Sequence, residues 1–202
     1  MTDINKKVMS SIYTDASEAD DVEVIKVFSG DCYVSGKPNH MMVTVLGSCI
    51  AACIRDPEIN VGGMNHFLLP DGTNTADAPL RYGAYSMEKL INDILKLGGK
   101  KERLEVKVFG GGNVIESSAK IGDKNVNFVR EYLGQEGIKI AEEDLGGNAP
   151  RRIHYFPFTG KVMMKRVKGR NEVEDVKKEE KQYSEKIRKT VTEEDSGNVE
   201  LF

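Results

Sequence analysis

The sequence predicts an α+β fold: mixed or antiparallel β-sheets, β-sandwich-like, flanked by two main helices. Two observations carry that expectation. Short β-branched or alternating apolar runs recur between Gly, Pro and Asn clusters, and only two segments of the body place apolar residues at helical spacing. The order is strands with two helices inserted, not the strand–helix alternation of a parallel sheet.

Structure is expected to begin at Val22, where VEVIKVFSG alternates at the period of a strand. After a break over Ser35 to Asn39, MMVTVLGSCIAACI is the most apolar stretch, and its β-branched content and short halves favour two buried strands. Asp56-Pro57 starts a turn, and VGGMNHFLLP returns as a strand stopped by Pro70. Asp71 to Pro79 reads as a loop. Ser86 then occupies an N-cap position, with Met87, Leu90, Ile91, Ile94 and Leu95 on one helical face and Gly98 as the stop. LEVKVF is a strand running into Gly110, Gly111 and Gly112. A second helix is expected over 124–133, capped by Asp123, with Val126, Val129 and Leu133 inward and Gly134 at its end. IKIAEED and RRIHYFPF complete the strands, separated by Gly146-Gly147-Asn148.

The 202 residues suit one domain, expected over 22–167, between a flexible extension over 1–21 and a charged tail over 168–202, helical or disordered. The tail carries only a sparse apolar stripe (Val173, Val176, Tyr183, Ile187, Val191), and most of it is expected to be inert solvated chain. A net charge of −3 argues against a nucleic-acid partner, since neutralising phosphates needs a Lys/Arg excess. No apolar run approaches the about 18 residues of a membrane span. The Asp-rich N-terminus lacks an apolar signal core, so a cytoplasmic location is expected. Three widely spaced cysteines make no disulfide framework, which leaves free thiols.

The best candidate for chemistry is Cys49 in LGSC, placed after a strand and straight after Gly-Ser. A thiol attacks only as its thiolate, so it needs a base or a positive neighbour. Of His40, His66 and His154, the hairpin selects His66: positions 49 and 66 are symmetric about Pro57 and Glu58, so a simple hairpin sets the two opposite each other. A bulge at Gly62-Gly63 would instead turn His66 to the other face. The competing reading is a small core cysteine and a half-buried, hydrogen-bonded histidine. Cys53 is assigned to the core, and Cys32 has no histidine set against it. Cys49, Cys53, His66 and His40 combine into four metal ligands on paper, but structural zinc prefers Cys-x2-Cys knuckles in loops, so neither metal nor cofactor is expected. FGGGN lacks the spacing of a phosphate cradle and reads as a tight turn or a place of close substrate approach.

TVLGSCIAACIRD followed by GGMNHFLLP resembles the CheD family of bacterial chemotaxis deamidases. LEVKVFGGGNV, IGDKN, AEEDLGG and RRIHYFPFTGKV extend the resemblance over roughly Val22 to Val167, and the ending NVELF looks like proteobacterial members. The resemblance implies Cys49 as nucleophile and His66 as base, with a threonine on the strand leading into Gly-Ser-Cys as third member. Thr44 is the candidate, and Val43 takes that place if the register differs by one. The implied substrate is the side-chain amide of particular glutamines on cytoplasmic helices of chemoreceptors, with methyl-ester hydrolysis as a second activity. A CheC-type phosphatase is an implied partner, and a fold shared with toxin-type glutamine deamidases is implied too. The acyl-transfer mechanism that follows uses backbone N–H groups near Gly47, Ser48 and Cys49 for the oxyanion. The Asp71 to Pro79 loop and the Gly110 to Asn113 turn are candidates for the substrate surface, with Asn65, Gly111 and Asn113 as candidate residues.

Overall fold

Nine strands and three helices form among residues 22–69, 77–114 and 120–196, the residues that this computed structural model describes. β1 (Glu23–Lys26), β3 (His40–Leu46), β8 (Arg151–Phe156) and β9 (Lys161–Arg166) make a four-stranded sheet in the order β1-β3-β8-β9. β2 (Cys32–Ser35), β5 (Val61–Asn65), β4 (Ile50–Asp56), β6 (Glu105–Gly110) and β7 (Ile140–Leu145) make a five-stranded sheet in the order β2-β5-β4-β6-β7. The β1/β3 and β6/β7 pairs are parallel and the others antiparallel. The fold is α+β with mixed sheets.

β4 explains the layering. Its side chains alternate, and both sets are buried, which is why the sequence is apolar without interruption from Ile50 to Ile54. Ile50, Ala52 and Ile54 pack against α1 (Asp77–Lys96) and α2 (Ile121–Gln135), through Met87, Leu90 and Ile94 of the first and Val126, Val129 and Leu133 of the second. Cys49, Ala51 and Cys53 point the other way, into a second core with Met42, Leu46, Ile153 and Tyr155 of the four-stranded sheet. The sheets therefore stack as a sandwich, with α1 and α2 on the outer face of the larger one. A third helix, α3 (Arg170–Ser196), forms within the charged C-terminal segment.

Several details depart from the sequence expectations, among them α2, which begins at Ile121 so that Asp123 lies in its first turn and not at its cap. α1 begins at Asp77, so Ser86 lies inside the helix and its Oγ accepts a hydrogen bond from Asn65 Nδ2 at 3.2 Å. Tertiary contact accounts for the added turns: a Cβ at Gly83 would sit 2.6 Å from the Phe128 ring of α2, so the helices meet backbone to ring there. Of the expected Asp71 to Pro79 loop, residues 71–76 lie outside the described residues. The β4/β5 hairpin turns over Pro57 to Asn60, with Asn60 at φ 53°, and pairs Cys53 with Met64 and Ile54 with Gly63. Its axis is one residue later than the symmetric fold predicts, and Gly62 and Gly63 pair regularly without a bulge.

Asp56 ends β4 with no exposed surface and accepts hydrogen bonds from the backbone N–H groups of Glu58 and Lys100 and from Arg103 Nε at 2.8 Å. Burial alone would raise its carboxyl, but these donors outweigh burial and hold it below the usual aspartate range. A depressed folded value means that the contribution to stability is complete above the unfolded value of about 3.9 and is lost as pH falls through the folded value. Chemical denaturation of the wild type across pH 2–7 is expected to show that loss, and Asp56→Asn, less stable at neutral pH, is expected to flatten the curve. An unchanged curve removes Asp56 from the acid response.

Candidate active site

Strand parity brings the candidate residues together. Cys49 continues the face of Ala51 and Cys53, and His66 continues that of Met64, so both point between the sheets. Ile50 bridges Phe67, which makes Leu68 the residue across from Cys49 and leaves His66 its diagonal neighbour. A hairpin axis one residue later moves the opposed residue by two positions, so the face is kept although the direct opposition is not. From the other sheet Thr44 points inward with Met42 and Leu46, and its Oγ1 meets His66 Nδ1 at 2.8 Å. Val43, adjacent to Thr44 and so on the opposite face of β3, packs on the outer side of the four-stranded sheet with Met41 and Phe156.

Hydrogen bonding sets the histidine tautomer. Thr44 Oγ1 donates to the Val27 carbonyl at 2.7 Å, so it receives its own hydrogen bond from His66 Nδ1–H. Nε2 is then the unprotonated nitrogen, and it accepts from Ser29 Oγ at 3.1 Å. Ser29 Oγ also lies 3.9 Å from Cys49 Sγ, which makes the serine a bridge from thiol to imidazole. Burial holds the His66 imidazole below its usual range, against the raising influence of the Glu180 carboxylate. Burial and that same carboxylate push the Cys49 thiol well above its usual range. The pair in this arrangement is a neutral thiol and a neutral imidazole, rather than the ion pair that opposed strands suggest.

The turn between β3 and β4 is held by its carbonyls. Gly47 O accepts from Gly112 N at 2.7 Å, Ser48 O from Asn125 Nδ2 at 3.0 Å, and Cys49 O from Gly111 N at 2.8 Å. With all three carbonyls engaged, the three N–H groups converge on a single carboxylate. Glu180 Oε1 accepts from Gly47 N and Cys49 N, each at 3.0 Å, and Oε2 accepts from Ser48 N at 2.9 Å and Ser48 Oγ at 2.8 Å. Such a nest of backbone N–H groups is suited to a carboxylate, as here, or to a developing oxyanion. Chemically, the assembly offers a sulfur nucleophile, an oxyanion cradle and a proton acceptor reached through a hydroxyl.

Two of the candidate substrate-surface residues are not on a surface. Asn65 is wholly buried, its Oδ1 accepting from Ala52 N at 2.9 Å and its Nδ2 donating to Ser86, so its amide is spent inside the fold. Gly111 is buried at φ 65°, and the Gly110 to Gly112 run serves the turn: a Cβ at Gly110 would collide with the Cys49 carbonyl. Asn113 is half-buried and donates to Asp123 Oδ1 at 2.9 Å. Cys53 lies in the inter-sheet core, and burial pushes the Cys32 thiol up to about 11. His40 bonds Ser35 and Glu23, away from Cys49. Among the described residues no group of three or more His, Cys, Asp or Glu is placed to hold a metal ion, and no helix is long and apolar enough to cross a membrane.

Sequence reasoning did not find Ser29, Asn125 or Glu180. Ser29 is polar in a loop, Asn125 lies 76 positions beyond Cys49 on α2, and Glu180 is one of several acids in a charged segment. IGDKN ends on Asn125, VEVIKVFSG contains Ser29 and the sparse stripe through Val176 and Tyr183 brackets Glu180, but none of these patterns carries a role for the polar residue.

Comparison with known proteins places these residues in context. Residues 68–166 match the family model described as "CheD chemotactic sensory transduction". A relative from Rhodopseudomonas palustris (strain BisA53), named "Probable chemoreceptor glutamine deamidase CheD", is 52% identical over 186 residues, covering 90% of this chain and 85% of that protein. One from Thiobacillus denitrificans, with the same name, is 43% identical over 205 residues and covers 98% of each chain. The solved structure of Bacillus licheniformis hypothetical protein YfiH aligns with TM-score 0.43 at 15% identity, covering 69% of this chain and 68% of that one. Identity of this degree, sustained almost end to end, means that the chain belongs to the CheD family.

Proposed function

We propose that this chain is a cytoplasmic glutamine deamidase of chemoreceptors, with Cys49 as nucleophile, His66 as base and Thr44 as the residue that orients it. The observation that carries the reading is the cradle: three backbone N–H groups converging beside a thiol that is linked through Ser29 to an imidazole. A serine-like or thiol nucleophile, an oxyanion cradle and an oriented base are what acyl transfer requires.

In the reaction the thiol proton passes by way of Ser29 to His66 Nε2, and Sγ bonds the glutamine Cδ. The amide oxygen becomes the oxyanion, held by the N–H groups of Gly47, Ser48 and Cys49. His66 returns its proton to the nitrogen, the C–N bond breaks and ammonia leaves. Water, deprotonated by His66, then displaces sulfur from the thioester, giving glutamate and the free thiol. Relatives named as chemoreceptor deamidases support the receptor as substrate.

Intact-mass measurement of a receptor fragment tests this. The wild type is expected to add about 1 Da per converted glutamine, and a fragment cut at its backbone would instead mark a peptidase. Cys49→Ala and His66→Ala, folded by circular dichroism, are expected to abolish the gain. Full activity in either variant removes that residue's role. A chemotaxis phenotype that survives Cys49→Ala would instead favour a docking module, acting on the receptor or on a CheC-type phosphatase.

A further inference from the structure

α3 turns Val176, Glu180, Tyr183 and Ile187 toward the body at helical spacing. Glutamate is the side chain on that face least suited to burial, yet Glu180 is 3% exposed and accepts four hydrogen bonds, all from Gly47, Ser48 and Cys49. The seat is shaped for it. A Cβ at Gly47 would lie 2.7 Å from Glu180 Oε2, and one at Gly30 would collide with the Tyr183 hydroxyl. Tyr183 bonds the Tyr82 hydroxyl of α1, Ile187 joins the inter-sheet core, and Arg152 Nη2 stands 3.6 Å from Glu172 near the start of the helix. Residues 167–169 are the whole link from β9 to α3.

A glutamine deamidated on a helix is a glutamate on a helix, and a glutamate on a helix is what the cradle holds here. We propose that α3 is an intramolecular product mimic: it lies in the groove that a substrate helix occupies, sets the Glu180 carboxylate where the converted side chain sits, and must leave before turnover. The inference rests on the deamidase reading and adds a built-in competitor for the substrate groove. Docking also places a negative charge beside Cys49, which disfavours the thiolate as well as blocking access. The apparent Kd for substrate is then the intrinsic value divided by the fraction of molecules whose α3 is out, so docking weakens apparent binding.

The test compares Glu180→Ala with the wild type in the full chain. Alanine keeps helix propensity, so α3 persists while its anchor is lost. Alkylation of Cys49 by iodoacetamide, mapped by peptide and referenced to Cys32 in the same molecule, is expected to accelerate on the order of tenfold, as is deamidation of the receptor fragment. In Glu180→Gln the amide itself enters the cradle. Sγ bonds its Cδ, ammonia leaves with the proton from His66, and water replaces sulfur, so this variant is expected to gain about 1 Da on standing. The Cys49→Ala/Glu180→Gln chain is expected to keep its mass. Alkylation of Glu180→Ala at the wild-type rate overturns the proposal, as does a Glu180→Gln chain that stays unconverted while receptor is deamidated. Failure of the deamidase reading looks different: no variant changes the receptor fragment, yet alkylation still accelerates, which retains α3 as the cover of Cys49.

Discussion

Thr44→Val is expected to lower deamidation of a receptor fragment by about 10²- to 10⁴-fold, the range that an oriented acid–base group contributes. Valine keeps the shape of threonine and removes only the oxygen that accepts from His66 Nδ1 at 2.8 Å. The next acceptor in reach is the Val27 carbonyl, 3.5 Å from Nδ1, a distance at which a hydrogen bond is weak. The imidazole is then free to carry its proton on Nε2, which faces Ser29, and in that tautomer it accepts no proton from the thiol. Thr44→Ser keeps the oxygen and is expected to recover most of the rate. The discriminating readout is kcat against KM: loss of orientation lowers kcat and leaves KM nearly unchanged, whereas a general loosening of the site moves both. A Thr44→Val enzyme with wild-type kcat would falsify the orienting role.

Asp144→Ala is expected to cost about 3–5 kcal/mol of stability, because it strands a buried cation. Arg151 is 2% exposed and its Nε donates to Asp144 Oδ1 at 2.5 Å, while Arg166 holds the second oxygen at 2.7 Å. Burial would raise the Asp144 carboxyl, but the two guanidinium groups outweigh it and hold it below the usual aspartate range. For a chain of this size the loss corresponds to a fall in Tm on the order of 10 °C, measurable by calorimetry. The effect reaches the candidate site. Arg151 also bonds the Gly146 carbonyl, Gly146 N donates to Gly110 O at 2.9 Å, and Asn113 N donates to Gly147 O at 2.7 Å. Gly111 and Gly112 in turn hold the carbonyls of Cys49 and Gly47. Asp144→Ala at low temperature is therefore expected to lower kcat even where the chain is folded. Replacing Arg151 with Met alongside Asp144→Ala removes the unpaired charge and is expected to recover part of the stability. A single variant that loses less than about 1 kcal/mol would show that the pair behaves as an exposed one.

The elements with clear periodicity were legible from residues alone. β4 reads as a buried strand because both its faces are apolar, and the core face of α1 is visible in Met87, Leu90, Ile91 and Ile94. β2 was not legible: four residues at an edge carry too little alternation to stand out. The early start of α1 was not legible either, since what extends it is the contact of Gly83 with α2, a long-range event that leaves no local signal. The Pro57 to Asn60 turn moved the hairpin axis by one residue, and the prediction of facing survived only because strand side chains repeat every two.

What residues alone determined here is the alternation that turns Cys49 and His66 toward one interior, because facing in a strand follows from parity and parity is written in the chain, whereas the choice of Thr44 over Val43 waited for the structure. Only the tertiary structure decided what stands around them. Ser29, the carbonyl anchors from Asn125, Gly111 and Gly112, and the carboxylate of Glu180 come from four separate segments, and their meeting depends on how two sheets and a third helix stack. Packing of distant segments is chosen by the total burial it achieves, and no short stretch of sequence carries that sum.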